Sequence, residues 1–90
     1  MKMTKHASIR AQQRAIPPQI IEWLETHGSR RHDNHGAVLY YFTNKIRLKL
    51  VEYYGCDHVK KLDNKLDAYL VVKGDEIITV GYRHKRIRLH

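Results

Sequence analysis

Three side chains near the start of the chain have the types and the spacing of a phosphate-binding group. His6, Arg10 and Arg14 follow one another at intervals of four residues, so on a helix they form one stripe, with about 40° between neighbours. Arginine grips phosphate oxygens through paired hydrogen bonds, and histidine exchanges a proton near neutral pH. The spacing therefore predicts phosphate binding coupled to proton transfer. The simpler interpretation is a solvated basic face of a surface helix.

A second group of candidates lies at the other end of the chain. In an extended strand Thr79 and Arg83 share one face, while Ile78, Val80 and Tyr82 face the other way. A hydroxyl and a guanidinium on one face are suited to meet the helical group, although charge on an edge strand also serves to prevent aggregation. The catalytic candidates are thus His6, Arg10, Arg14, Thr79 and Arg83. The candidates for binding nucleic acid are Lys5, Tyr82, Lys85, Arg86 and Arg88.

The distribution of charge links these two groups. Seventeen Lys and Arg stand against nine Asp and Glu, which leaves a net charge of +8. Residues 1–16 contain four Lys or Arg and no acid, and residues 82–90 contain another four and no acid, so the ends account for the whole excess (4 + 4 = 8). If the ends meet in the fold, they form one basic face suited to a polyanion such as nucleic acid.

Other chemistries have weaker support in the sequence. His32 and His35 are spaced so that both imidazoles can reach one divalent ion, but no acid or thiol at a recognisable spacing completes the ligand set. The single cysteine, Cys56, forms no internal disulfide and belongs to no nucleophile motif. We therefore expect no metal and no cofactor. The six tyrosines are expected in the core and at its rim, although exposed ones among basic groups can stack on unpaired bases.

Caps, prolines and hydrophobic periodicity predict the elements that position these residues. Thr4 is suited to cap a helix that runs to about Ala15, and Pro17-Pro18 end it and open a second helix. Gly28 is a natural end for that second helix. We thus predict a helical hairpin over residues 4–27.

The remainder alternates between strand and helix signals. Residues 29–32 and 37–43 are predicted strands around a four-residue turn, and 68–73 and 76–82 are predicted strands around Gly74-Asp75. Residues 44–54 fit both periodicities, and we favour a helix with Asn44 as N-cap and Gly55 as C-cap. Asp57 is suited to cap a further short helix.

These elements predict one α+β domain over residues 1–90, in the order α-α-β-β-α-(α)-β-β. The N-terminal helical hairpin would pack on a small, mostly antiparallel sheet of four strands. The start of the chain leads into no apolar segment of a secretory signal, and the longest apolar run, Ala37 to Phe42, is far too short to span a bilayer. We expect a cytoplasmic protein with no membrane function.

Both end motifs resemble those of a known family. The residues from His6 to Pro17 follow the pattern His-Ala-x-x-Arg-Ala-x-Gln-Arg-x-Ile-Pro, and Leu70–Val72 precede an Ile-Thr-Val-Gly-Tyr-Arg run that ends at Arg83. The chain resembles, over nearly its whole length, a small bacterial domain family of unknown function that is grouped with the RelE-like and barnase-like ribonuclease toxins. The resemblance implies N-terminal helices on a four-stranded antiparallel sheet and metal-independent cleavage of RNA by His, Arg and hydroxyl side chains.

The leading hypothesis is an RNA-binding protein that acts as a metal-independent endoribonuclease of toxin type. A base would deprotonate a ribose 2′-hydroxyl, which attacks its own phosphate while arginines neutralise the developing charge. We expect His6 to transfer the proton, the arginines to clamp the phosphate, and Thr79 or Tyr82 to orient it. The alternative is a non-catalytic nucleic-acid-binding or regulatory module of a toxin–antitoxin-like or mobile-element system. An acidic antitoxin-like protein is a further expected partner.

Overall fold

The computed structural model describes residues 1–83 and has an α+β fold, as expected. Lys85, Arg86 and Arg88 lie outside the described residues. No helix within residues 1–83 is long and apolar enough to cross a membrane. The elements in chain order are β1 (Lys2–Met3), α1 (Lys5–Gln13), α2 (Pro18–His27), β2 (Ser29–His32), β3 (Ala37–Tyr41), α3 (Asn44–Tyr54), α4 (Cys56–Lys61), a 3-10 turn (Asp63–Lys65), β4 (Ala68–Lys73) and β5 (Glu76–Tyr82).

The strands form a five-stranded mixed sheet in the order β1-β5-β4-β3-β2. Four of them pair antiparallel, as predicted, but the prediction of a four-stranded sheet is wrong. Lys2 and Met3 add a short strand that pairs parallel to the start of β5. Two residues are too few to show a strand pattern in sequence, and this strand exists because the chain enters α1 alongside β5, where the Thr4 N–H donates to the Ile77 carbonyl at 3.0 Å.

The helical hairpin begins and turns where its caps predict. The Thr4 hydroxyl accepts a hydrogen bond from the Ala7 N–H at 3.1 Å, which closes the first turn of α1. The helix ends at Gln13, two residues before the predicted end, because Ala15 adopts a left-handed conformation with φ of 51° that reverses the chain. Pro18 then opens α2, and Gly28 follows its last residue.

The ambiguous segment after β3 is a helix, as favoured, but its cap differs from the prediction. Thr43, and not Asn44, is the N-cap of α3, and its hydroxyl accepts from the Ile46 N–H at 3.2 Å. Gly55, with φ of 88°, ends α3 and starts α4. Asp57 is therefore in the first turn of α4, where we had expected a cap residue.

The helical hairpin covers only one face of the sheet. Helix α1 packs on β5, and α2 packs on β4 and β3. The strand side chains beneath these helices are buried, among them Tyr40, Leu70 and Val80. On the opposite face Leu39 and Val71 are only half-buried. We call this second surface the open face.

A β-bulge changes which residues of β5 reach the core. Val72 pairs with Ile77 but Val71 pairs with Thr79, so Ile78 is an extra residue on β5. Ile77 and Val80 are consequently the two buried apolar residues of β5, and Ile78 between them is only half-buried. The predicted alternation is thus wrong at Ile78 and correct from Thr79 onward.

Candidate functional site

Residues 1–16 lie beside residues 78–83, the part of the second predicted segment that the structure describes. Helix α1 runs along β5 in the same direction, with Thr4 beside Ile77 at one end. At the other end the Tyr82 hydroxyl donates to the Ala15 carbonyl at 3.2 Å. The N-terminal segment and the final strand therefore form one side of the molecule.

The predicted stripe of α1, defined as His6, Arg10 and Arg14, lies on the flank of the helix that turns away from α2. Ala7 and Ala11 are buried against the sheet. Ser8, Gln12 and Ala15 contribute to a cavity shared with the first residues of α2, so the opposite flank carries the stripe. Within the stripe His6 is exposed, whereas Arg10 and Arg14 are half-buried. Lys5 is exposed at the start of the same helix.

The structure does not bring this stripe together with Thr79 and Arg83. Tyr82 points toward α1, so its neighbour Arg83 and, four residues earlier, Thr79 point to the open face. His6 follows the β1 segment that pairs with the start of β5, whereas Arg83 follows the end of that strand. Six residues, or about 20 Å of strand, separate Ile77 from Arg83.

Arg83 instead lines a cleft of about 500 Å³ at the edge of the open face. The cleft lies between the end of β3, the start of α3 and the segments that flank the β4–β5 hairpin. Four cations and one carboxylate contribute to it, which leaves a net charge of +3 (4 − 1). The lining residues are Arg31, Leu39, Tyr41, Phe42, Thr43, Asn44, Lys45, Arg47, Asp67 and Arg83.

Asp67 connects two of the arginines. Its carboxylate accepts a hydrogen bond from Arg47 Nη2 at 2.8 Å, and the same nitrogen donates to the Leu66 carbonyl at 3.1 Å. The backbone carbonyl of Asp67 accepts a hydrogen bond from the backbone N–H of Arg83 at 2.9 Å. The guanidinium carbon of Arg83 lies 4.3 Å from the centre of the Tyr41 ring, which is cation–π geometry. The Arg47 guanidinium is therefore ion-paired to the Asp67 carboxylate, whereas Arg83 is joined to Asp67 through the backbone and its guanidinium lies over Tyr41.

The surroundings of the Arg83 guanidinium only partly balance its positive charge. Burial lowers the pKa of Arg83 from its usual value, while Tyr41 and Asp67 oppose that shift and Arg47 adds to it. The group remains charged near neutral pH. Its Nη2 is buried and has no hydrogen-bond acceptor within residues 1–83, and the same holds for Arg47 Nε. A desolvated cation with incomplete pairing favours the binding of an anion.

The first turn of α3 adds to the positive potential of the cleft. Its N-cap, Thr43, and its first two residues, Asn44 and Lys45, all line the cleft. No acidic side chain occupies that first turn. The helix macrodipole carries partial positive charge at this end, which adds to the charge of Lys45. The cleft therefore combines a helix start with four cationic side chains.

The chemistry available in the cleft is that of phosphate binding beside one proton acceptor. Arginine pairs bind phosphate oxygens in two-pronged geometry. Asp67 is the single carboxylate of the lining set, and its side chain is 53% exposed, so it is accessible to a bound molecule. Within the described part of the chain, no group of three or more His, Cys, Asp or Glu side chains is placed to hold a metal ion.

Sequence reasoning missed most of the cleft. Arg31, Lys45, Arg47 and Asp67 lie in segments whose charges nearly cancel, so a count by segment hides them. One signal was available, because Asp67 and Arg83 immediately flank the β4–β5 hairpin whose tight turn was predicted. In an antiparallel hairpin the residues just outside the two strands lie opposite each other.

Comparisons with protein-family models, curated proteins and solved structures gave no match to this chain. The resemblance to the family grouped with ribonuclease toxins therefore stays a prediction.

Proposed function

We propose that the protein binds RNA through the cleft and cleaves it there as an endoribonuclease. The observation that carries the proposal is one cleft in which Arg47 pairs with the Asp67 carboxylate and the Arg83 guanidinium lies over Tyr41. RNA cleavage without a metal needs a proton acceptor for the ribose 2′-hydroxyl and fixed positive charge at the phosphate. A carboxylate beside arginines supplies both kinds of group.

In the proposed reaction the Asp67 carboxylate accepts the proton of the 2′-hydroxyl. The 2′-oxygen then forms a bond to the adjacent phosphorus, and the bond from phosphorus to the 5′-oxygen breaks. The leaving oxygen takes a proton from water or from an acidic side chain. The products are a 2′,3′-cyclic phosphate and a free 5′-hydroxyl. Arg47 and Arg83 stabilise the extra negative charge that develops on the phosphate oxygens.

The open face offers a surface for the nucleotides next to the reacting phosphate. Tyr41 and Tyr69 are paired residues of β3 and β4 that project from this face and are half-buried. The Tyr69 ring lies over Gly81, where a Cβ atom would meet the Tyr69 hydroxyl at 2.8 Å. Flat rings on a sheet beside arginines are common platforms for unpaired bases. This arrangement favours single-stranded RNA over a duplex.

The α1 stripe has a supporting role in this proposal. It lies on the other side of β5 from Arg83, so one phosphate does not contact both groups. A longer RNA that passes around the β5 edge would reach Arg10 and Arg14 by its backbone. The assignment of proton transfer to His6 stays a prediction, and Asp67 is the alternative proton acceptor.

The biological setting that we propose is that of a cytoplasmic toxin. A cleft with a net charge of +3 suits an acidic antitoxin-like partner, which would block cleavage by covering it. Co-purification with such a partner, and its competition with RNA, would test this setting separately from the chemistry.

The decisive experiment incubates the purified protein with single-stranded RNA in the presence of a chelator. We expect cleavage products that end in a 2′,3′-cyclic phosphate, detected by mass spectrometry. A matched RNA with 2′-O-methyl sugars should bind but stay intact, because the nucleophile is blocked. Arg83→Ala should weaken RNA binding and slow cleavage, whereas Lys73→Ala, which removes a charge at the far end of β4, should retain both activities.

Two outcomes would count against the proposal. Binding without cleavage on every RNA tried, with and without ribosomes, would leave the non-catalytic nucleic-acid-binding module. Equal losses in Arg83→Ala and Lys73→Ala would mean that binding depends on net charge alone and not on the cleft.

A further inference from the structure

An exposed side of α3 leads away from the cleft toward a stack of aromatic rings. Lys45 lines the cleft, and Lys49 and Tyr53 follow at intervals of four residues on the same side of the helix. Lys49 is exposed, and Tyr53 is 66% exposed. Each step of four residues advances about 6 Å along the helix axis, which is on the order of the distance between successive phosphates of an extended strand.

The exposed Tyr53 ring is held in place by further rings beneath it. It stacks on the His27 ring with centres 5.2 Å apart and an interplanar angle of 22°. His27 Nε2 hydrogen bonds to the Tyr54 hydroxyl at 2.9 Å, and the Tyr54 ring stacks on Trp23 at 4.9 Å. Trp23 is completely buried. Because the stack is anchored in the core, Tyr53 presents a preorganised ring to a ligand, at a reduced entropic cost of binding.

We infer that a single-stranded RNA bound in the cleft continues along α3, past Lys49, and stacks a base on Tyr53. This inference rests on the proposed function, since the cleft defines where the strand begins. It predicts an extended substrate with at least two further nucleotides on one side of the reacting phosphate. Every base can stack on an exposed tyrosine, so the contact increases affinity and favours longer RNA without selecting a particular base.

Charge and continuity favour RNA over a protein partner on this surface. Lys45 and Lys49 extend the positive potential of the cleft along the helix, as a phosphate backbone requires. Two side chains beside this path do not add to RNA binding. Leu48 is 68% exposed, and a protein partner would bury such a side chain. Glu52 is also exposed here and is the acid that an RNA backbone would have to pass.

The test measures binding of fluorescently labelled 2′-O-methyl oligouridylates, which resist cleavage, at lengths of two and eight nucleotides. Tyr53→Ala should weaken binding of the octamer roughly tenfold, the effect of one lost base–aromatic stack. It should leave binding of the dimer, which fills only the cleft, unchanged. Tyr53→Phe keeps the ring and should bind both as the wild type does. Glu52→Gln should strengthen octamer binding.

The controls separate this inference from the function on which it rests. Arg83→Ala should weaken binding of both lengths, and if it weakens neither, the cleft proposal fails whatever Tyr53 does. If Tyr53→Ala leaves octamer binding unchanged, the path along α3 is wrong and the surface is left to a protein partner. An equal loss for dimer and octamer would also overturn the inference, because it would indicate damage to the fold. Fluorescence of the single tryptophan reports that damage independently.

Discussion

The cleft and the α1 stripe carry similar side chains but differ in what surrounds them. The stripe lies along one flank of a single helix, with exposed His6 at one end. The cleft is lined by Asp67 together with cations from β2, α3 and the segment after β5, and Arg47 pairs with the Asp67 carboxylate. Burial there lowers the pKa of Arg83, while Tyr41, whose ring lies against the guanidinium, opposes that shift.

This difference shows why spacing along one helix is weak evidence for a reactive site. Arg10 and Arg14 are half-buried and Arg10 Nε has no hydrogen-bond partner within residues 1–83, but the stripe spreads its charges along one helix and lines no cleft with a carboxylate. Charges that converge from several elements on a concave surface are partly stripped of water and act on the same ligand. We therefore expect the cleft to dominate activity and the stripe to assist binding.

The largest expected effect distinguishes the two regions by their proton acceptors. Asp67→Asn keeps the size of the side chain but removes its ability to accept a proton, so RNA cleavage should fall by about 10² or more. His6→Asn should leave the cleavage rate unchanged. Single-turnover cleavage of a short labelled RNA measures both variants.

The opposite result would contradict the assignment of catalysis to the cleft. If His6→Asn causes the larger loss, the reacting centre lies at the start of α1, as the sequence alone suggested. Because Asp67→Asn also weakens the exposed ion pair with Arg47, a thermal unfolding curve must accompany it. We expect that contribution to stability to be at most about 1 kcal/mol.

A smaller effect distinguishes the two regions by their arginines. Arg83→Ala should weaken binding of single-stranded RNA about tenfold, because a charge-assisted contact to phosphate is lost. Arg10→Ala should weaken it only slightly. Removing one phosphate contact should also reduce the slope of log affinity against log salt by about 0.7 for a single strand. Titrations at several salt concentrations measure both quantities. Equal losses of affinity in Arg83→Ala and Arg10→Ala would show that the cleft and the stripe contribute equally to RNA binding.

A third prediction concerns the contact that joins α1 to β5. Tyr82→Phe removes the hydrogen bond to the Ala15 carbonyl but keeps the ring, whose centre lies 5.6 Å from the Lys65 ammonium. The free energy of unfolding should fall by about 0.5–1 kcal/mol, as for a partly exposed hydrogen bond. Urea denaturation measures this change. A change in the free energy of unfolding near zero would show that α1 and β5 are held together by apolar packing alone.

The smallest expected effect lies in the β2–β3 turn, at the far end of β3 from the cleft. Asp33 accepts hydrogen bonds from the N–H groups of His35 at 2.7 Å and Ala37 at 2.9 Å, and these bonds lower its pKa below the usual 3.8. A lowered folded pKa stabilises the protein above pH 3.8, and that contribution is lost as the pH falls through the folded pKa. The difference in stability between wild type and Asp33→Asn should shrink over that range. A pH-independent difference would assign the effect to the turn geometry instead.

Local features of the fold were predictable from the sequence because their causes are local. Thr4 caps α1 through its own side chain, and Pro18 opens α2 because its missing N–H costs nothing in the first turn. The β4–β5 hairpin was predicted with its observed strand ends because Gly74-Asp75 specifies a tight turn. The α3 cap was missed by one residue because Thr43 and Asn44 are both good N-caps.

The candidate site was predictable only in part, for a physical reason that Arg83 illustrates. Alternation along β5 correctly assigned Thr79 and Arg83 to one face, but it did not reveal which face α1 covers. That choice depends on the burial of Ala7, Ala11 and Val80 between helix and sheet, which is a tertiary contact. The same packing places the α1 stripe and Arg83 on different sides of β5.

The α+β class, most element boundaries, the helical hairpin and the concentration of positive charge at both ends could all be predicted from the sequence. This was possible because caps, turns, hydrophobic periods and charge counts are properties of neighbouring residues. That Arg31, Lys45, Arg47 and Arg83 line one cleft together with Asp67 depends on tertiary packing, since these residues come from four separate segments. The segments that hold Arg31, Lys45, Arg47 and Asp67 have charges that nearly cancel, and only the fold gathers these residues with Arg83 at the edge of the open face.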